Sequence, residues 1–290
     1  MSKNILDALN NALRRGNRNL PTVINHNNNN RVSSNGALLE YYIKDLFCDN
    51  SYNYTDSELK LDEYQKEFSY LGNSNNPPDF IIKQGPAIEV KKLESAGARS
   101  IALNSSHPKD FLYSNYKRIN QACRSCEDEF GGWEKKDMIY AIGNIVNGRI
   151  HSLWLLYGDC FCADKSSYER ISDTIEDGIS SIPGVDFSET NELSRINNVD
   201  PLGITYLRVR GMWGIAHPSY IFSRLLQDNF DSGTNIYVLM KEEKHEEIIQ
   251  KPNFSTFLNN GTLTIKNVNI KDPNNPARDV RAVFYNGVIY

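Results

Sequence analysis

Asp79, Glu89 and Lys91 are the residues whose types and spacing offer the most direct chemistry. They lie in the segment PPDFIIKQGPAIEVKK, residues 77–92. Two carboxylates brought side by side repel, and burying them is costly unless a cation intervenes. A hard divalent cation such as Mg²⁺ is the natural partner, because it prefers carboxylate and water oxygens. A lysine two residues beyond a carboxylate can orient or deprotonate a water held there. Together these groups suit phosphodiester hydrolysis. The plain alternative is a surface hairpin with Glu89 and Lys91 simply solvated, because Asp…Glu-x-Lys arises often by chance.

The element that must bring them together is a hairpin. A three-residue loop, Lys83-Gln84-Gly85, places Gly85 where a left-handed backbone is usual. Ile82 then pairs with Pro86, Ile81 with Ala87, Phe80 with Ile88, and Asp79 with Glu89. Directly opposed side chains share a face about 5 Å apart, and period two adds Lys91 to the face of Glu89. The other face collects Phe80, Ile82, Ile88 and Val90 as core. Pro86 has no N–H, which admits a bulge near the turn.

Around the hairpin the periodicity predicts a helix over 4–15, with Ile5, Leu6, Leu9 and Leu13 on one stripe. A polar loop over 17–35 holds the run Asn27 to Asn30. A second helix follows Ser33/Ser34 as N-cap candidates, with Leu39, Tyr42, Ile43, Leu46 and Phe47 as its apolar stripe. EYQKEFSYLG, residues 63–72, reads as a first strand before the hairpin, and residues 110–127 read as a helix. MIYAIGNIV and SLWLLYG read as buried strands turned at Asn147-Gly148. A helix is expected near 166–180, a strand in ITYLRVRG, a helix near 218–226, a strand in IYVLMK, and short β segments in an Asn/Pro-rich tail from Pro252. Mixed strands and helices argue an α/β architecture.

Composition sets the outer limits. The chain has 290 residues, 40% hydrophobic and 23% charged, which excludes a disordered or collagen-like chain. No apolar run is long enough to cross a membrane as a helix. The N-terminus has no continuous apolar signal region, so a cytoplasmic protein is expected. Five cysteines fit reduced thiols better than a disulfide scaffold. Cys123-x-x-Cys126 with Cys160-x-Cys162 as a zinc site is the alternative, weakened by the tight second spacing. The net charge of −4 excludes a wholly basic nucleic-acid binder but not a basic face. Residues 91–124 hold seven Lys/Arg against two acids, and residues 203–224 hold three Arg and no acid. These stretches are either chance clusters or surfaces facing a polyanion.

Pro78-Asp79, nine intervening residues, and Glu89-Val90-Lys91 together resemble the PD-(D/E)xK nuclease signature. Residues 30–47, 101–112 and 187–218 further resemble the type II restriction endonucleases similar to NgoPII. The resemblance implies an α/β PD-(D/E)xK core, a mixed β-sheet flanked by helices, in a single restriction-endonuclease domain. Within it, residues 1–36 would be an N-terminal helix and polar loop, 37–165 the catalytic core, 166–250 the DNA-recognition part and 251–290 a tail. The implied activity is Mg²⁺-dependent cleavage of double-stranded DNA by a homodimer at a short palindrome, GGCC for this group. A cognate DNA methyltransferase is expected in the same system. Asp79 and Glu89 would bind metal and Lys91 would handle the attacking water. Glu40 would be a further metal-binding carboxylate on the N-terminal helix, or else a plain exposed helix residue. Asn104, Ser105, Ser106 and Lys109 suit phosphate or base contacts, or a capping loop. Arg208 and Arg210 share a strand face and suit bidentate reading of guanine, with Leu207 and Val209 turned to the core. They could instead touch only phosphates.

Other readings are weaker. His26 beside Asn27 has no second histidine before His107, which disfavours a His-Asn-His nuclease. GxSxG, Walker A and GxGxxG motifs are absent. Trp213, flanked by glycines, could stack on a base; Trp133 and Trp154 read as core or rim. The competing functions are a structure-selective repair nuclease of the same fold, a non-catalytic DNA-binding protein, and an acidic structural protein.

Overall fold

The computed structural model describes all residues except 1, 26–29, 32–33, 74–75, 98–99, 189–192, 227–232 and 249. The chain runs α1 (Ile5–Arg15), β1 (Ile24–Asn25), β2 (Asn30–Arg31), α2 (Asn35–Phe47), α3 (Ser57–Glu67), β3 (Phe68–Tyr70), β4 (Phe80–Ile82), β5 (Ala87–Leu93), β6 (Ser100–Asn104) and β7 (Phe111–Tyr113). It continues through α4 (Gln121–Arg124), β8 (Lys135–Val146), β9 (Arg149–Tyr157), α5 (Lys165–Ser180), β10 (Asp186–Ser188), β11 (Ser194–Asn197), β12 (Leu207–Val209) and β13 (Trp213–Ala216). The remaining elements are α6 (Pro218–Ile221), β14 (Thr234–Lys241), α7 (Glu242–Glu247), α8 (Ser255–Asn259), β15 (Leu263–Asp272) and β16 (Asn275–Ile289).

The main sheet has the order β15-β16-β14-β9-β8-β5-β4-β3, with β7 pairing to β8. It is mixed: β5 runs parallel to β8 and β14 parallel to β9, while the other pairings are antiparallel. Helices α1 and α2 pack together, α1 against β14 and β16 and α2 against β5 and β8. A Cβ on Gly143 of β8 would meet the Leu39 side chain at 2.8 Å, so α2 lies directly on this strand. On the opposite face, Trp154 packs with Tyr237, Phe284 and Phe222. Its indole N–H donates to Ser219 Oγ at the start of α6, 2.8 Å away. Among the described residues, no helix is long and apolar enough to cross a membrane.

Several expected elements take another form. Residues 57–67 are helical, because Asp56 caps them by accepting the N–H groups of Glu58 and Leu59; only 68–70 extend. The helix expected over 110–127 is instead the strand β7, turns, and the four-residue α4. Its apolar spacing at Leu112, Ile119 and Cys123 serves separate contacts with one core. The helix near 218–226 is short, continuing as a 3₁₀ turn at 223–226. The tail does not form short β segments. Its two strands are long, and β16 lies inside the sheet between β15 and β14. Ser34 occupies the N-cap of α2 without a side-chain bond. Ser33, His26 and Asn27 to Asn29 lie outside the described residues.

Candidate active site

The hairpin has the expected register, with Phe80 opposite Ile88 and Ile81 opposite Ala87. The left-handed residue of its turn is Gln84 (φ 53°), not Gly85. A buried acceptor accounts for that: the Gln84 N–H donates to Glu127 Oε1 at 2.8 Å. Glu127 also accepts from Ser69 Oγ and pairs with Lys136 at 2.7 Å, and Lys136 donates to Gly85 O. Both charged residues are buried. Sequence reading passed over this pair, whose members lie far from the hairpin in the chain. The turn is thus held from outside by a buried ion pair.

Asp79 is fixed at the start of β4 by two bonds to β5. Its N–H donates to Ile88 O at 3.1 Å, and its Oδ2 accepts the Val90 N–H at 2.6 Å. The side chain therefore takes the place of the next rung of the ladder. Its backbone is clamped as well, since a Cβ on Gly72 would lie 2.1 Å from Asp79 O. Glu89 pairs with Lys91 at 2.6 Å on the same side of β5. Because Lys92 opposes Gly143, whose face meets α2, Glu89 and Lys91 point to the other face of the sheet. Glu89 is buried rather than standing on an exposed face, so the candidate site is a recess.

Electrostatics concentrate here. Burial raises the Asp79 pKa, and the Glu89 carboxylate raises it further against the pull of Lys91. Burial disfavours the Lys91 charge, but Glu89 and Asp79 outweigh burial and hold its pKa above the ordinary lysine value. Glu40 lies within electrostatic reach of Asp79, yet it pairs with Lys44 one helical turn away at 2.6 Å. The structure thus brings Asp79, Glu89 and Lys91 together and leaves Glu40 at the margin. Glu89 Oε2 is buried and has no hydrogen-bond partner among the described residues. A cation beside Asp79 would satisfy it, and a Mg²⁺ that keeps several waters needs only one or two carboxylates. Among the described residues no three His, Cys, Asp or Glu side chains form a complete metal centre. The five cysteines are free thiols, and burial raises the pKa of Cys123 and Cys162 to about 12.

The other candidates fall into two groups. Asn104 ends β6 in a left-handed conformation, opposite Trp213 of β13. Ser105 lines a cavity of about 390 Å³ beside the recess. Lys109 is buried: its Nζ donates to Ser106 Oγ and to His107 O, and its N–H bonds the Tyr140 hydroxyl. Burial lowers its pKa to about 8, Glu89 opposes that shift, and Lys91 adds to it. Lys109 therefore belongs to the wall of the recess rather than to a free basic surface. Arg208 lies on β12 opposite Arg195, followed two residues later by Arg210. Contrary to expectation Leu207 is half exposed, because β12 belongs to a separate three-stranded sheet, β10-β11-β12, and not to the main core.

Comparison with known proteins sets this geometry in context. The sequence model of the NgoPII restriction endonuclease family matches residues 3–271. The type II restriction enzyme NgoPII of Neisseria gonorrhoeae is similar to this chain, 40% identical over 277 residues that cover 95% of this chain and 96% of the relative. No solved structure matches.

Proposed function

Because the chain belongs to the NgoPII restriction endonuclease family, we propose that the Asp79–Glu89–Lys91 recess is its cleavage centre, built on a PD-(D/E)xK core. The chain is a type II restriction endonuclease, a site-specific deoxyribonuclease acting on double-stranded DNA. The observation that carries the site assignment is the buried Glu89 Oε2 beside Asp79, without a hydrogen-bond partner among the described residues.

Asp79 and Glu89, with Glu40 at the margin, would hold Mg²⁺, which when bound supplies positive charge to the phosphoryl oxygens. The bond from Val90 fixes the Asp79 carboxylate, so little reorganisation precedes binding. Lys91, a cation in its ion pair, orients the attacking water by hydrogen bonding. Water attacks phosphorus in line and the 3′ oxygen leaves, giving a 5′ phosphate. The catalytic core spans 37–165, residues 166–250 supply recognition, and Arg208 and Arg210 read guanine. Asn104, Ser105 and Ser106 contact the DNA around the recess. The target is GGCC, the working form is a homodimer matching the two-fold target, and the enzyme is cytoplasmic, with a cognate methyltransferase protecting host DNA.

Digestion of a sequenced plasmid with Mg²⁺, followed by end mapping, tests this reading. Discrete fragments ending within GGCC are expected. Cleavage only of branched or damaged DNA would favour a repair nuclease, and no cleavage a non-catalytic binder.

A further inference from the structure

The cavity beside the recess has a chemistry of its own. Its volume, about 390 Å³, falls in the range of small-molecule sites. Four Lys and Arg side chains in its lining, Lys109 and Lys165 among them, are balanced by four carboxylates, three of them (Glu169, Asp173 and Glu176) on α5. A site shaped only for phosphate would not carry so many acids. His107, Tyr116 and Trp213 are among the rings that line it, and Tyr168 backs His107. His107 stacks on Tyr168 at 5.3 Å and meets Tyr116 and Trp213 edge-on. Its Nδ1 lies 2.7 Å from the Pro108 carbonyl, so Nδ1 carries the proton and Nε2 is an acceptor. That Nε2 is buried and has no partner among the described residues. The balanced charge and the aromatic rings suit a guest that is uncharged and planar.

The chain beside the cavity supplies a second observation. Gly211 and Trp213 line it, and Met212 between them is 77% exposed. A large apolar side chain held in solvent next to a DNA-cleaving recess suits insertion between base steps. Lys109 joins the two features, since it lines the cavity and also feels the charges of Glu89 and Lys91.

We propose that this cavity receives a nucleobase swung out of the bound duplex, while Met212 fills the gap left in the stack. The proposal rests on the nuclease reading above. A base that leaves the stack must give up pairing and stacking, so a duplex already lacking that base is bound more tightly.

The test is a binding titration of the full chain in Ca²⁺, with duplexes carrying an abasic site at each position in and beside the target in turn. One position is expected to tighten binding about tenfold or more, the equivalent of about 1.4 kcal/mol, while the others weaken it. Ser172→Trp, placed on α5 to fill the cavity, should abolish that preference while keeping the thermal midpoint and binding of the abasic duplex within about twofold of binding to the intact one. Met212→Ala should weaken binding to the intact duplex. Specific binding with no position that tightens overturns the proposal and leaves the nuclease reading standing. Failure to bind any duplex specifically overturns both. A change of oligomeric mass in Met212→Ala, read by sedimentation, would make Met212 an interface residue and overturn its role as wedge.

Discussion

The Asp79 carboxylate accepts the backbone N–H of Val90 at 2.6 Å, so the residue that starts one strand of the hairpin also serves as a rung of its ladder. A proposed metal-binding group is thereby part of the fold. Asp79→Ala should abolish cleavage and also cost about 1–3 kcal/mol, because the Val90 N–H loses its acceptor. Asp79→Asn keeps an acceptor and should lose cleavage with nearly unchanged stability. Urea unfolding beside a plasmid assay separates the two; equal stability of both variants would remove the bond's structural role.

Gly72 is expected to be as intolerant as the candidate site itself. Its φ is +77°, and a Cβ there would overlap the Asp79 carbonyl. Gly72→Ala must displace the Asp79 backbone, costing about 1–3 kcal/mol. A shift near 1 Å in a catalytic carboxylate costs about 10²-fold in rate. Single-turnover cleavage of a short duplex measures it, and a wild-type rate would show that Asp79 tolerates the move.

The Glu127–Lys136 pair should matter in proportion to its burial. Glu127→Ala leaves Lys136 buried without its partner and should cost about 3–5 kcal/mol. The double substitution Glu127→Leu with Lys136→Met should recover most of that loss, though not the turn bond to Gln84. A double-mutant cycle in urea reads the coupling, and additive losses would rule out a coupled pair.

His217 makes the fold sensitive to acid. Its Nε2 lies 2.9 Å from Asn144 Oδ1, while Nδ1 accepts the Ser219 N–H that starts α6. Burial lowers its pKa to about 4 from an ordinary value near 6.5. The unfolded chain therefore takes up the proton first. The contribution is complete above pH 6.5 and is lost as pH falls toward 4, about 3 kcal/mol at most. His107, lowered to about 4 by burial and by Lys109, acts in the same direction. His217→Asn retains an N-cap acceptor and should flatten the stability–pH slope across this window. An unchanged slope in denaturant titrations at several pH values would exclude His217 as its source.

The hairpin was legible because its determinants are local. A turn signal, alternating apolar residues and the Asp79–Glu89 spacing together specify one register, and the structure has it. What escaped depends on distant partners. The left-handed turn residue is Gln84 because Glu127, 43 positions away, waits as an acceptor. Leu207 looks like a core residue in an alternating strand, yet β12 sits in a small sheet where that face is open. The strand expected at 63–67 is helical through the Asp56 cap, a signal present in the sequence but outweighed there by the apparent alternation that follows. Residues 263–289 read as scattered β segments because Asn and Pro interrupt them. Their length emerges from pairing with β14 and with each other.

The position of β16 inside the main sheet has a consequence for synthesis. Residues 275–289 separate β15 from β14, and β14 in turn pairs with β9, which joins it through β8 to the hairpin strand β5. On the ribosome this segment emerges after every residue of the recess. A nascent chain that already contains Asp79, Glu89 and Lys91 but not residues 275–289 still has an open sheet edge at β14. Ribosome-stalled chains ending before β15 are accordingly expected to be more protease-sensitive at β14 than chains that include β16.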